Sequence, residues 1–210
     1  KQLGLLLSWD GFKERATPED HRALAGFIAE NSYWLSDYTL FQAIRSEQGA
    51  GWWKWPNSLR DRHPHALSKA RVRLADMIDY LNYEQFLFFS QWQSLKDYAN
   101  SRSVLLFGDM PIFVALNSAE VWARPEDFDL NPDATPRVVA GVPPDYFSAT
   151  GQRWGNPLYL WERMREDGFA FWIDRMRTQL KLFDMVRIDH FRGFESYWEI
   201  PAEEKYAIND

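Results

Sequence analysis

Two short, unbroken apolar runs, each closing on an aspartate, limit what this chain can fold into. Ser103-Val104-Leu105-Leu106-Phe107-Gly108-Asp109 is the first, and Phe183-Asp184-Met185-Val186-Arg187-Ile188-Asp189 is the second. Runs of this kind fit strands covered on both faces, as in a parallel sheet. Between them, Trp161 to Leu182 reads as helix, with Phe169, Trp172, Met176 and Leu180 in register. Strand, helix, strand is a βαβ crossover, the building unit of α/β folds. Both acids then fall at the carboxyl ends of their strands, where (β/α)8 barrels carry out their chemistry. A whole barrel typically needs about 250 residues and eight strands, and only two barrel strands are legible here. The expected fold is α/β: part of a (β/α)8 TIM-type barrel, incomplete in this chain, with a helical insertion subdomain.

The insertion is expected over residues 1–101 and the barrel part over 102–210. Thr17-Pro18-Glu19-Asp20 offers a capping residue, a proline at the first helical position and acids in the first turn. A second helix is expected to start near Ser36-Asp37 and to end by Gly49. Trp52-Trp53-Lys54-Trp55-Pro56 reads as an aromatic loop or helix entry. From Ala66 to Asn100 the pattern is helical again, with Phe88, Trp92, Leu95 and Ala99 on one face. Residues 117–158, rich in Pro, Gly and Asn, read as one long ordered loop.

Composition narrows the partners. A formal net charge of −6 in 210 residues argues against nucleic acid, whose phosphates demand clustered Lys and Arg. The short apolar run Leu3 to Leu7 falls far below membrane-spanning length, so no membrane is expected. With no cysteine, disulfides and thiolate zinc sites are excluded, and a cytoplasmic setting is the simplest. His63 and His65 flank Pro64 and His21 stands apart, so no zinc-type spacing joins them and no metal is expected. Aromatics make up 17% of the chain, including 11 Trp. Rings with a polar edge suit sugar surfaces, whose C–H faces stack while their hydroxyls seek hydrogen bonds, although an aromatic-rich core would give the same composition. The first residue is not methionine and the last four carry no terminal signature, so both ends read as cuts.

The chemistry concentrates in Arg187-Ile188-Asp189-His190. Residues two apart on a strand share a face, so Arg187 and Asp189 point into the same space. An arginine beside an acid favours the ionised carboxylate that nucleophilic attack requires. A structural ion pair capped by a histidine would read the same way. Asp109 ends the other strand and would converge on the same site if the strands are neighbours, roughly 4.8 Å apart. The stretch Gly141-Val142-Pro143-Pro144-Asp145-Tyr146-Phe147-Ser148, continued by Gly151-Gln152-Arg153-Trp154-Gly155-Asn156-Pro157, reads as a ligand surface. Its aromatics stand among Asp, Gln, Asn and Ser, in the kind of long loop that often carries function.

Three stretches resemble motifs of the 4-α-glucanotransferases, glycoside hydrolase family 77. They are Gly108-Asp109-Met110-Pro111-Ile112-Phe113-Val114, the stretch from Val138 through Pro157, and Val186-Arg187-Ile188-Asp189-His190-Phe191-Arg192-Gly193. Asp37-Tyr38-Thr39-Leu40-Phe41 and Trp52-Trp53-Lys54-Trp55-Pro56 resemble the helical region that precedes them in that family. Asn117 stands where many relatives are expected to carry Asp.

The resemblance implies a retaining double displacement on α-1,4-glucans and maltooligosaccharides, with an acceptor sugar taking the chain and no metal or organic cofactor. It assigns Asp189 as the nucleophile and Arg187 as the arginine that keeps it ionised. Asp109 supports the site beside the bound sugar, and His190 lies near the acceptor. Asp145, Tyr146 and Phe147 belong to a mobile loop over the donor–acceptor junction, and Trp154 lines the glucan groove; Gln152 and Asn156 of the same ligand surface are expected to bind substrate. Retention needs a second carboxyl group roughly 5–5.5 Å from the nucleophile. The family's general acid lies beyond the nucleophile motif, and nothing matching it occurs in the 21 residues after Asp189; Glu195 and Glu199 are poor substitutes. These 210 residues alone are therefore expected to hold half a site and little activity. An α-amylase-clan hydrolase and a noncatalytic glucan-binding module remain the alternatives.

Overall fold

The computed structural model describes residues 2–207, with the side chain of Gln2 left aside. Two compact units emerge: one from Lys1–Ala50 and Pro56–Leu106, the other from Gly51–Trp55 and Phe107–Asp210.

The first unit is helical throughout its described residues. Its elements are α1 (Gln2–Arg15), α2 (Pro18–Glu30), α3 (Ser32–Gln48), α4 (Asn57–Arg60), α5 (Pro64–Arg73) and α6 (Ala75–Ser101). The start of α2 follows from its first residues. Thr17 accepts from the Asp20 amide and Asp20 accepts from the Thr17 amide, with Pro18 in the first turn. Gly49 closes α3 in the left-handed conformation (φ 65°), its amide bonded to the Arg45 carbonyl. The core forms where α3 meets α6, through Leu35, Leu40, Phe41 and Ile44 with Tyr80 and Tyr83. The expected helix over 66–100 is two helices, divided at Leu74. On the face that carries Phe88, Trp92, Leu95 and Ala99, Phe88 and Leu95 are 48% and 51% exposed, and the buried residues of α6 lie in its first turns.

The second unit contains the strands. Its α/β part comprises β1 (Phe107–Pro111), α7 (Ala119–Ala123), β2 (Val138–Val142), β3 (Gln152–Pro157), α8 (Trp161–Glu166), α9 (Ala170–Leu182), β4 (Met185–Asp189) and β5 (Trp198–Pro201). β1 and β4 pair in parallel, with α8 and α9 between them in sequence, so the βαβ crossover is present. A separate antiparallel sheet runs β3-β2-β5. Trp52 and Trp55 pack into this unit rather than among the helices: Trp52 Nε1 donates to the Leu116 carbonyl (2.7 Å), and Trp55 meets Trp122 edge-on at 5.7 Å.

Further sequence expectations change. The first strand is Phe107–Pro111 rather than 103–109, because α6 runs on to Ser101 and the chain turns through Ser103 at φ 60°. β1 and β4 are not covered on both faces; their burial alternates, as it does when one face of a sheet stays open. The stretch 117–158 is not one loop, since it holds α7, β2 and β3. β3, Gln152–Pro157, carries Gly, Pro and polar residues and has low strand propensity of its own, and β2 between Arg137 and Pro143 is a short run that reads as part of the same loop.

Asp127 is a weak point in this packing. It is 1% exposed, its Oδ1 has no hydrogen-bond partner among the described residues, and burial, then the charges of Glu126 and Asp167, raises its carboxyl pKa. A carboxyl whose folded pKa is raised binds its proton more tightly in the native state than in the unfolded one. Its stability contribution is therefore present below about pH 4 and is lost as pH rises through the folded value. Asp127→Asn is expected to raise the melting temperature at pH 7 and to gain less at pH 3.5. Thermal scans at both pH values read this, and an equal shift at both would rule out the titration account.

Candidate active site

β1 and β4 are in register with Asp109 opposite Arg187 and Pro111 opposite Asp189. Laterally paired residues of parallel strands face the same way, so Asp109, Arg187 and Asp189 share the open face while Gly108 and Met110 turn inward. Arg187 grips Asp109 with two donors: Nε to Oδ1 at 3.1 Å, and Nη2 to Oδ2. The same Nη2 lies 4.0 Å from Asp189 Oδ1. The forked hydrogen bonds and charge of Asp109 hold the Arg187 guanidinium above its usual pKa, and Asp189 adds to that. With side chains 57% and 53% exposed, this ion pair adds little stability and serves to fix direction.

The chain turns sharply after Asp189. His190 adopts the left-handed conformation (φ 53°), and its carbonyl accepts from the Gly193 amide (2.8 Å). Gly193 is required by close approach: a Cβ there would stand 2.8 Å from Ile112 Cδ1 and 3.3 Å from the His190 ring. Trp154 of β3 meets His190 edge-on at 5.1 Å, and its Nε1 donates to Gln152 Oε1 at 3.1 Å. Trp154 also lies 6.3 Å from Phe113, a buried ring in contact with Tyr159 and Tyr197. The structure thus joins Asp109, Arg187, Asp189, His190, Trp154 and Gln152 through a chain of direct contacts.

The remaining expected residues sit apart from that chain. Asn156 donates to the Val114 carbonyl (2.9 Å), so its amide fixes the segment after β1. Asp145 turns back on its own loop and accepts from the Phe147 and Ser148 amides at 2.9 and 2.8 Å. That turn lifts Tyr146 and Phe147 into solvent, at 97% and 90% exposure, with their rings perpendicular and 5.7 Å apart. Among the described residues no three His, Cys, Asp or Glu side chains group to hold a metal. The sequence reading missed β5 and its neighbour Tyr197, which brace β2 and Phe113. The alternation Trp198-Glu199-Ile200 was the available signal.

Comparison with known proteins decides the family. The profile of glycoside hydrolase family 77, described as 4-alpha-glucanotransferase, matches residues 2–210. The chain belongs to this family. It is 52% identical over 215 residues to the 4-alpha-glucanotransferase of Thermus thermophilus, spanning 98% of this chain and 43% of that protein. The enzyme of the same name from Aquifex aeolicus is 47% identical, spanning 89% of this chain and 38% of its own length. The amylomaltase of Streptococcus agalactiae, solved in complex with acarbose, superposes with a TM-score of 0.91 at 38% identity, over 97% of this chain and 41% of that one. Corynebacterium glutamicum amylomaltase shares the fold, with a TM-score of 0.72 at 18% identity, over 92% of this chain and 25% of that one. The chain thus spans less than half the length of these relatives.

The β2–β3 hairpin that presents Trp154 has little room to adjust. A Cβ on Gly141 would stand 2.4 Å from the Gln152 carbonyl oxygen, which is backbone, and 2.4 Å from Ile200 Cδ1. Gly141→Ala is expected to cost about 1–3 kcal/mol through this overpacking. Urea unfolding measures the loss, and an unchanged midpoint would show that the strands separate freely.

Proposed function

We propose that the protein to which this stretch belongs is a 4-α-glucanotransferase acting on α-1,4-glucans and maltooligosaccharides. Asp189 is the nucleophile, and an acceptor sugar rather than water resolves the glycosyl intermediate. The observation that carries this reading is the arrangement of Arg187, forked on Asp109 yet 4.0 Å from Asp189. It leaves the Asp189 oxygens free to attack while keeping a positive charge beside them. β1 and β4 are two strands of a (β/α)8 barrel, with the site at their carboxyl ends as such barrels require.

In the first step an Asp189 oxygen forms a bond to the anomeric carbon as the bond to the leaving sugar oxygen breaks. A carboxylic acid protonates that oxygen. In the second step the acceptor hydroxyl attacks the same carbon and gives its proton back to that acid, so Asp189 leaves as carboxylate. His190, with Trp154 against its ring, lies toward the acceptor. Gln152 and Trp154 line the glucan groove, Asn156 braces it through the Val114 carbonyl, and the exposed Tyr146 and Phe147, set by the Asp145 turn, close over the bound chain. The acid is expected outside these 210 residues, and the reaction needs no metal or organic cofactor. The cytoplasm is the expected setting, since it asks no disulfide of a stretch without cysteine.

Three outcomes test the reading. In the protein at full family length, Asp189→Asn is expected to lower maltotriose disproportionation by about 10⁴-fold or more. The wild type should release glucose together with longer chains. A retained rate in the variant would remove Asp189 as nucleophile, and maltose with glucose as sole products would mean hydrolysis. The 210 residues expressed alone are expected to transfer nothing measurable, and clear turnover would place the acid within them.

A further inference from the structure

Arg175 projects from α9 to the end of β1 and spends its donors on main-chain carbonyls. Nη1 donates to the Ile112 carbonyl at 2.9 Å and Nη2 to the Pro111 carbonyl at 2.5 Å. Tyr159 Oη donates to the same Ile112 oxygen at 2.7 Å and lies 3.4 Å from Arg175 Nη1. The guanidinium carbon stands over the Trp172 ring, 5.1 Å from its centroid. Burial lowers the pKa of Arg175, though arginine remains charged in proteins.

The reason for such a clamp lies in the strand it holds. Pro111 is the last residue of β1 and the partner in register of Asp189. Proline has no N–H to give to a ladder, so at Pro111 the end of β1 offers only an acceptor carbonyl, and Arg175 takes it. A planar guanidinium holds two successive carbonyls in one rigid fork, a geometry that the compact, freely rotating ammonium of lysine does not impose. The clamped segment also reaches the site from its other side, because Ile112 packs where Gly193 follows the His190 turn.

We propose that Arg175 is a positioning residue for the nucleophile: with Tyr159 it clamps the carboxyl end of β1 and thereby aligns the Asp109–Arg187 fork with Asp189. This rests on the glucan-transfer reading above. Arg175 touches no substrate, and its effect passes through Asp109. Losing the clamp lets the end of β1 drift, and a drift of about 1 Å can cost on the order of 100-fold in rate.

The experiment is steady-state kinetics on maltotriose with the protein at full family length. The variants are Arg175→Gln, Arg175→Lys, Tyr159→Phe, Asp109→Asn and the Arg175→Gln/Asp109→Asn double variant. Arg175→Gln is expected to lower kcat by about 30- to 100-fold with KM changed less than about threefold. Arg175→Lys, which keeps the charge but not the planar fork, and Tyr159→Phe should each lose about 10-fold or less. In the Asp109→Asn background the Arg175→Gln loss should shrink to under about threefold, because the fork it aligns is already gone. A merely structural role would multiply the two losses in full, and that result overturns the proposal. So does an unchanged kcat, or an effect on KM alone. If Arg175→Gln does not fold, as read by circular dichroism, Arg175→Lys takes its place in the cycle with the same criterion of shrinking against multiplying. Asp189→Asn measured alongside separates the two claims. An active Asp189→Asn sinks the transfer reading, whereas an inactive one with multiplying losses sinks only the role of Arg175.

Discussion

The site depends on a register. β1 and β4 pair in parallel with Asp109 facing Arg187, and parallel pairing puts laterally matched side chains on one face. A slip of one residue would send Asp109 inward, where Gly108 and Met110 now pack, and would leave Arg187 without its fork. Gly108 helps exclude that slip, since a Cβ there would stand 2.4 Å from the Phe183 ring. Packing on the inner face thus selects which residues reach the outer one, and the chemistry inherits that choice.

Much of this was legible in the sequence, and the reasons are specific. Asp109 and Arg187-x-Asp189 could be placed because an apolar run ending in an acid is a local signal, readable without knowing what covers it. The helix from Pro18 was legible because Thr17, Pro18 and Asp20 state their own capping geometry. The antiparallel sheet was not, because β3 reads Gln152-Arg153-Trp154-Gly155-Asn156-Pro157 and owes its extended form to β2 rather than to propensity. The open faces of β1 and β4 were also mispredicted. An apolar run gives the side a strand could bury, and it does not say whether a partner lies within the same stretch of chain. Arg175 escaped notice for a related reason. An arginine in an amphipathic helix reads as a solvated charge until the carbonyls it meets are known.

The aromatic content divides into two populations with different work. Trp52, Trp122, Phe128 and Phe113 are buried and hold the second unit together. Tyr146, Phe147 and, in part, Trp154 remain accessible at one end of the β2–β3 hairpin. Composition could not tell such buried rings from exposed ones. The accessible rings stand among Asp145, Gln152 and His190, the mixture of stacking faces and hydrogen-bonding groups that a sugar surface asks for.

Asp109 and Asp189 are both strand-end aspartates, yet their surroundings assign them different tasks. Arg187 commits Nε and Nη2 to Asp109, so that carboxylate is occupied and its orientation fixed. Asp189 receives the same cation only at 4.0 Å, beyond a hydrogen bond. A nucleophile gripped by a bidentate arginine would have to break those bonds before attacking, whereas one beside a cation already held in place does not. Asp109 thus fixes the Arg187 guanidinium beside Asp189 while leaving the Asp189 oxygens outside its hydrogen-bond reach. The clamp of Arg175 on Pro111 and Ile112 extends the same logic one layer outward, since the fork is only as well placed as the strand end that carries it.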